Sequence, residues 1–255
     1  MPGRRAGAAA RGEEAAGFPR IRPAGDAAVT VEWGERIDPQ THAQVLRLWH
    51  ALEEQPVPGM VEAVPTYRSV LVQWDPDRAE RETVLAALDG AVSRARRRRL
   101  LEGRRVTIPV VYGDWYGPDL REVARHTGFS PGEVVRRHTE REYRVYMLGF
   151  MPGFAYLGGL DPALATPRRA SPRLSVPAGS VAIGGEQTGI YALGGSPGGW
   201  QVIGRTWLEL WDSAREPPAL LQPGDRVRFE AVSEDQAPPE WVERARASGW
   251  EMESG

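Results

Sequence analysis

GFMPGFAYLGGLDPALATPRRASPRLSVPAGSVAIGGEQTGIYALGGSPGGWQVIGRT, residues 149–206, carries 13 of the chain's 29 glycines. That is too many for an ordinary packed segment, and they keep no period that would suggest a linker or a collagen-like repeat. Glycine is expected where the backbone takes positive φ, or where another strand or a ligand comes close. The residues between the glycines, among them Phe150, Phe154, Tyr156, Ile183, Ile190, Tyr191, Trp200 and Ile203, are of types that bury well. The stretch therefore reads as short strands and shaped loops that build a concave site.

Working outward, strand-like runs cover Tyr143–Phe150, Ser180–Ile183, Gly189–Leu193, Trp200–Gly204, Leu208–Trp211 and Arg226–Val232. Short strands punctuated by Gly and Pro indicate a closed or nearly closed β-barrel. Two short helices precede them, Asp119–Thr127 and Ser130–Thr139. The second opens with Ser130-Pro131-Gly132-Glu133, a capping-box arrangement with proline at the first position. A C-terminal tail, residues 233–255, has room for one amphipathic helix over Glu240–Ala247.

The first hundred residues follow another plan. Residues 1–18 are small, charged and aperiodic and read as a disordered leader. Val29, Val31 and Trp33 alternate as in a strand. Asp38 and Pro39 then open a helix of about 16 residues with Val45, Leu48, Trp49 and Leu52 on one face. Strands Met60–Thr66 and Arg68–Trp74 come next. A second helix carrying Val84, Leu85, Leu88 and Val92 ends in the basic run Arg96–Arg99, read as a solvated C-terminus favourable to the helix dipole rather than a phosphate patch. With the strand Val106–Tyr112 the order fits a split βαβ plan. The expected fold class is α+β, a ferredoxin-like domain over 19–103 followed by a mainly β barrel domain over 104–232.

Composition narrows the chemistry. The formal net charge of −2 gives no electrostatic case for a nucleic-acid or membrane partner. Cysteine and lysine are both absent, which removes disulfides, thiolate nucleophiles, Schiff bases and a P-loop lysine. The histidines are His42, His50, His126 and His138, so none lies within 149–206 and no metal site is expected there. No apolar run reaches the ~18 residues of a membrane span, and a cytoplasmic location is the simplest expectation.

Five blocks occurring in order carry a resemblance: GFMPGFAYLGGL (149–160), the PR pairs at Pro167-Arg168 and Pro172-Arg173, VPAGSVAIGG (176–185), QTGIY (187–191) and PGGWQVIGRT (197–206). With them, IPVVYG, GPDL and HTEREYRVYMLGF upstream match the same pattern. The chain resembles the KipI family, whose members are also called the B subunit of 5-oxoprolinase or allophanate hydrolase subunit 1, over roughly Gly25 to Val232. Ala192 and Trp207 depart from it, standing where proline is common.

The resemblance implies a cyclophilin-like barrel with a small-molecule site. It also implies two partners, the A subunit and a KipA-like C subunit of 5-oxoprolinase, and ATP as co-substrate with Mg2+ in the complex. The implied reaction opens 5-oxo-L-proline to L-glutamate. Family members also include an inhibitor of a sensor histidine kinase and modules of urea or allophanate hydrolase pathways, so these are the competing readings. Prolyl isomerase activity rests on the fold name alone.

Opening a lactam means activating a resonance-stabilised amide and holding anionic groups. Arginine serves the second task with a planar fork. Arg173 and Arg205 are the expected anion clamps, against the alternative of rim ion pairs, and Arg169 is expected to face solvent. Glu186 is a candidate general base or an exposed turn carboxylate, and Gln187 can orient the amide or a water. Tyr191 can donate to the carbonyl or simply sit half-buried in the barrel. The resemblance places a histidine at His138, as an acid–base group or as a helix-end tie. Phe150, Pro152, Phe154 and Trp200 are expected to shape a pocket wall or partner interface, with Gly198 and Gly199 allowing close backbone approach.

Overall fold

A computed structural model describes residues 17–100 and 102–247. Contacts divide the chain into two compact units, with the division between Arg98 and Arg99. Residues 1–16 of the expected leader, and the last eight residues of the expected tail, lie outside the described residues. No helix among the described residues is long and apolar enough to cross a membrane.

The first unit is an open antiparallel sheet of β1 (Arg20–Pro23), β2 (Ala28–Glu32), β3 (Met60–Pro65) and β4 (Ser69–Trp74), in the order β1-β2-β4-β3. It packs with α1 (Pro39–Glu54) and α2 (Arg81–Arg97). Asp38 caps α1 as its position suggests, its carboxylate accepting from the amides of Gln40 and Thr41, both at 2.9 Å. Val29, Val31, Val70, Val72, Leu48, Leu52 and Leu88 meet in a closed core. Two expectations need correcting. Strand 106–112 does not close this sheet; the edge beside β2 is taken by β1, which periodicity does not reveal because Ile21 is its one large apolar residue between two prolines. The basic run is not wholly solvated, since Arg98 pairs with Glu54 at the end of α1.

The second unit is a closed barrel of seven strands in the order β10-β7-β6-β13-β5-β12-β9. They are β5 (Arg105–Tyr112), β6 (Glu142–Leu148), β7 (Ala155–Gly158), β9 (Ser180–Gly184), β10 (Gln187–Ile190), β12 (Gln201–Arg205) and β13 (Arg226–Ala231). A ribbon of β8 (Arg173–Val176) and β11 (Ser196–Gly198) stands beside it. Val181, Ile183 and Ile190 point to the same core as Ile108, Val145, Leu157, Ile203 and Phe229. Helices α3 (Leu120–Thr127) and α4 (Pro131–Thr139) add Leu120, Val123 and Val134 to it. The Leu208–Trp211 run is no strand; only an isolated bridge from Trp211 to Ala219 forms there.

Alternation on the wall strands has a second consequence. Ala182 and Val202, one step from the core-facing residues, join Phe154, Val176, Tyr191 and Trp200 in a separate cluster. β9 and β12 are thus apolar on both faces because both are covered. The tail helix α5 (Pro239–Ala247) forms where its amphipathic pattern suggests, burying Trp241 and Ala245 against Val111 and Tyr116.

Candidate functional site

Phe154 organises the second cluster. Its ring meets Phe150, Tyr156, Tyr191 and Trp200 edge-on, with centroids 5.6, 4.9, 5.4 and 5.7 Å away. These aromatics, with Pro172, Gly198, Gly199 and Arg168, line a groove of about 230 Å³. Glycine is required twice here. A Cβ on Gly184 would fall 2.5 Å from the Trp200 indole, and one on Gly198 would collide with the Tyr191 hydroxyl. Phe150 closes the arrangement at φ 68°, a left-handed conformation unusual for an aromatic residue, and the residue stays 62% exposed.

The groove is walled by aromatic rings and has two polar ends. Burial pushes the Tyr191 phenol above its usual range, so it remains an O–H donor at neutral pH. Its oxygen takes a hydrogen bond from the Trp200 backbone. Arg168, exposed at the other end, sets its guanidinium 5.8 Å from the centroid of the Trp200 ring, within cation–π range. Sequence reasoning includes Arg168 in the stretch without singling it out; its adjacency to Trp200 arises only when β12 returns beside the 167–172 loop.

The two expected anion clamps have other work. Arg173 forms a bidentate pair with Asp119, at 2.7 and 2.8 Å, and Arg169 reaches the same carboxylate at 3.1 Å. Asp119 also accepts from the Val202 amide at 2.7 Å and is 4% exposed. Arg173 is therefore the ion pair that was its alternative, and Arg169 is partly buried, not solvent-facing. Arg205 donates through Nε to the Ala178 carbonyl at 2.8 Å and lies over the Trp241 ring. It lines a different cavity, shared with Trp207, Trp211 and Arg244. Trp207, one of the two departures from the family pattern, packs edge-on against Trp241 there.

His138 does not line the groove. It is fully buried, its ring 4.5 Å from that of Phe229, and both nitrogens are occupied. Thr188 Oγ1 donates to the Ala182 carbonyl at 3.1 Å, so at 2.9 Å from His138 Nε2 it accepts. Nδ1 is then left to accept from the Tyr112 hydroxyl at 2.8 Å. Burial drives the imidazole down to about 3 and the Tyr112 phenol well above 10. A neutral imidazole with no open edge ties helix to barrel, the second of its two expected roles. Glu186 is exposed in the β9–β10 turn, and Gln187 is half-buried at the start of β10; neither lines the groove. Of the expected site residues, the structure brings together Tyr191, Gly198 and Gly199. No three acidic or histidine side chains among the described residues converge as a metal site.

Residues 19–221 match the family model of the carboxyltransferase domain, subdomain C and D. The chain belongs to this family. Within the carboxyltransferase C/D family it is 43% identical over 225 residues to the 5-oxoprolinase B subunit of Bacillus subtilis, covering 84% of this chain and 93% of that one. It is 49% identical over 198 residues to the 5-oxoprolinase B subunit of Escherichia coli O157:H7, covering 75% and 87%. Among solved structures, the carboxyltransferase C/D fold seen here aligns with the crystal structure of TTHA0988 at TM-score 0.73 and 40% identity. That alignment covers 86% of this chain, which spans only 41% of the longer protein.

Proposed function

We propose that this chain is the B subunit of an ATP-dependent 5-oxoprolinase, acting in the cytoplasm with the A and C subunits to open 5-oxo-L-proline to L-glutamate. The observation that carries the reading is identity sustained over 93% of the Bacillus subtilis protein. On this reading the barrel is of the cyclophilin-like kind, and the N-terminal sheet is a ferredoxin-like layer whose outer strand is β1.

The groove suits the substrate's chemistry. Phe154, Tyr156 and Trp200 offer faces and edges to a small ring, and Arg168 offers a fork to its carboxylate. Tyr191, held protonated, donates toward the lactam oxygen, polarising the amide for attack and then holding the oxygen as charge develops. Gly198 and Gly199 let the backbone approach the ring closely. ATP, when bound in the complex, supplies the activation of the amide oxygen. Donors for Mg2+ are not assembled among the described residues.

No carboxylate or histidine lines the groove among the described residues, and the A and C subunits are the proposed source of the general base. Phe150 and Leu174, exposed by 62% and 77%, are apolar surface available for such a partner.

The test is reconstitution. The expected result is that purified chain mixed with the A and C subunits hydrolyses ATP only when 5-oxoproline is present. Absence of that dependence in the complete mixture overturns the reading, and ATP use driven by urea or allophanate instead replaces it.

A further inference from the structure

Arg168 is a wall shared by two cavities. Beyond the aromatic groove lies a second one, of about 400 Å³, whose polar lining includes Glu122, His126, Arg168, Arg169, Ser171 and Gln201. Its charge balance is positive. The Glu122 carboxylate is held by Arg125 at 2.6 and 2.9 Å. Asp119 answers only one of the two guanidiniums it holds, Arg169 and Arg173, and no carboxylate pairs with Arg168 among the described residues. Counting the ion-pair partners Arg125, Asp119 and Arg173 that stand behind the lining residues, two positive charges are left in excess, before any protonation of His126.

Gln201 adds a second, independent demand. It is 6% exposed, and Nε2 donates to the Pro167 carbonyl at 3.0 Å, which settles which end of the amide is oxygen. Oε1 is buried without a partner. An acceptor in that position costs free energy until a donor reaches it. A ligand matched to this cavity therefore carries about two negative charges on oxygen and also an O–H. Hydrogen phosphate has both; sulfate has the charge without the proton.

We propose that this cavity is a phosphate subsite, with the anion held by Arg168 and Arg169 and its O–H accepted by Gln201 Oε1 once a rotation of the side chain opens that oxygen, closed to solvent in the free protein, to the cavity. The subsite stands on its own chemistry. If the 5-oxoprolinase reading also holds, it puts the phosphate left by ATP cleavage beside the groove in which the lactam lies.

Calorimetric titration of the full-length chain alone, at neutral pH and low salt, tests it without any partner protein. The expected result is saturable one-to-one binding of inorganic phosphate with Kd on the order of 1 mM, and sulfate bound about tenfold more weakly. Arg168→Ala weakens phosphate about tenfold. Gln201→Met, nearly isosteric, retains anion binding but erases the preference for phosphate over sulfate. Melting curves of both variants without phosphate establish that they are folded. Should Gln201→Met fail to fold, the wild-type sulfate comparison and Arg168→Ala decide alone. Phosphate heats that do not saturate, equal affinity for the two anions, or an unaffected Arg168→Ala overturns the proposal. None of these results touches the coupled reaction, which has its own assay.

Discussion

The two faces of the barrel wall handle polar groups in opposite ways. On the inner face, Thr188, His138 and Tyr112 form a closed relay in which each hydroxyl and ring nitrogen has a partner. On the outer face Tyr191, just past the end of β10, and Arg168, on the 167–172 loop, end an aromatic groove, while Gln201 Oε1, at the start of β12, is buried unpaired beside the second cavity. A satisfied buried network rigidifies; unsatisfied groups beside a cavity are where a ligand gains affinity. Residue type alone, a histidine against an arginine, would rank the two faces the other way.

Substitutions on each face test this contrast, and the largest effect is expected inside. His138 titrates near 3 when folded and near 6.5 when unfolded. The unfolded chain therefore takes up the proton first as pH falls, and stability is lost between about pH 6.5 and 3, by roughly 5 kcal/mol at most. Urea midpoints measured across this range should fall more steeply for wild type than for His138→Gln. Equal slopes would mean that the imidazole is not sealed.

Asp119→Ala comes next. It strands Arg173, whose side chain is 11% exposed, together with Arg169 and the Val202 amide. A loss of about 3–5 kcal/mol in unfolding free energy is expected, as for a broken buried pair. A loss under about 1 kcal/mol would put this cluster with ordinary surface ion pairs.

Arg168→Ala separates site from scaffold. Stability should change by no more than about 0.5 kcal/mol, while 5-oxoproline-dependent ATP hydrolysis of the reconstituted complex falls on the order of a hundredfold. The reverse outcome, lost stability with unchanged turnover, would return Arg168 to the scaffold. The smallest effects are expected at positions that sequence reasoning favours. Arg205→Ala should cost about 1 kcal/mol through its lost bond to Ala178, with turnover nearly kept, and Glu186→Gln should leave the pH–rate profile unmoved. A shifted profile would bring Glu186 back as a base.

Much of the architecture is legible in one dimension because it rests on local rules. Asp38-Pro39 starts a helix, Ser130 accepts from the Glu133 amide at 3.2 Å, alternation marks β13, and short apolar runs between Gly and Pro mark β9 and β12. The capping box at Ser130 forms only in half. The Glu133 side chain turns to Arg136 and Arg137 instead, since two cations one turn on attract a carboxylate more strongly than a backbone amide does. Strand β1 and the missing strand at 208–211 escape the pattern because pairing, not propensity, makes an edge strand.

Residue content alone dictates that the site is glycine-rich, aromatic and served by arginine, because no cysteine, lysine or nearby histidine is on offer. The five ordered blocks likewise carry the family. Which arginine is open to a ligand is a tertiary decision. Arg168, Arg169, Arg173 and Arg205 are chemically the same along the chain; Asp119, some fifty residues upstream, takes two of them, Ala178 takes another, and Trp200 leaves the last facing the groove. A charge is neutralised or left to act according to what lies within a few ångströms, and that distance is set by the fold.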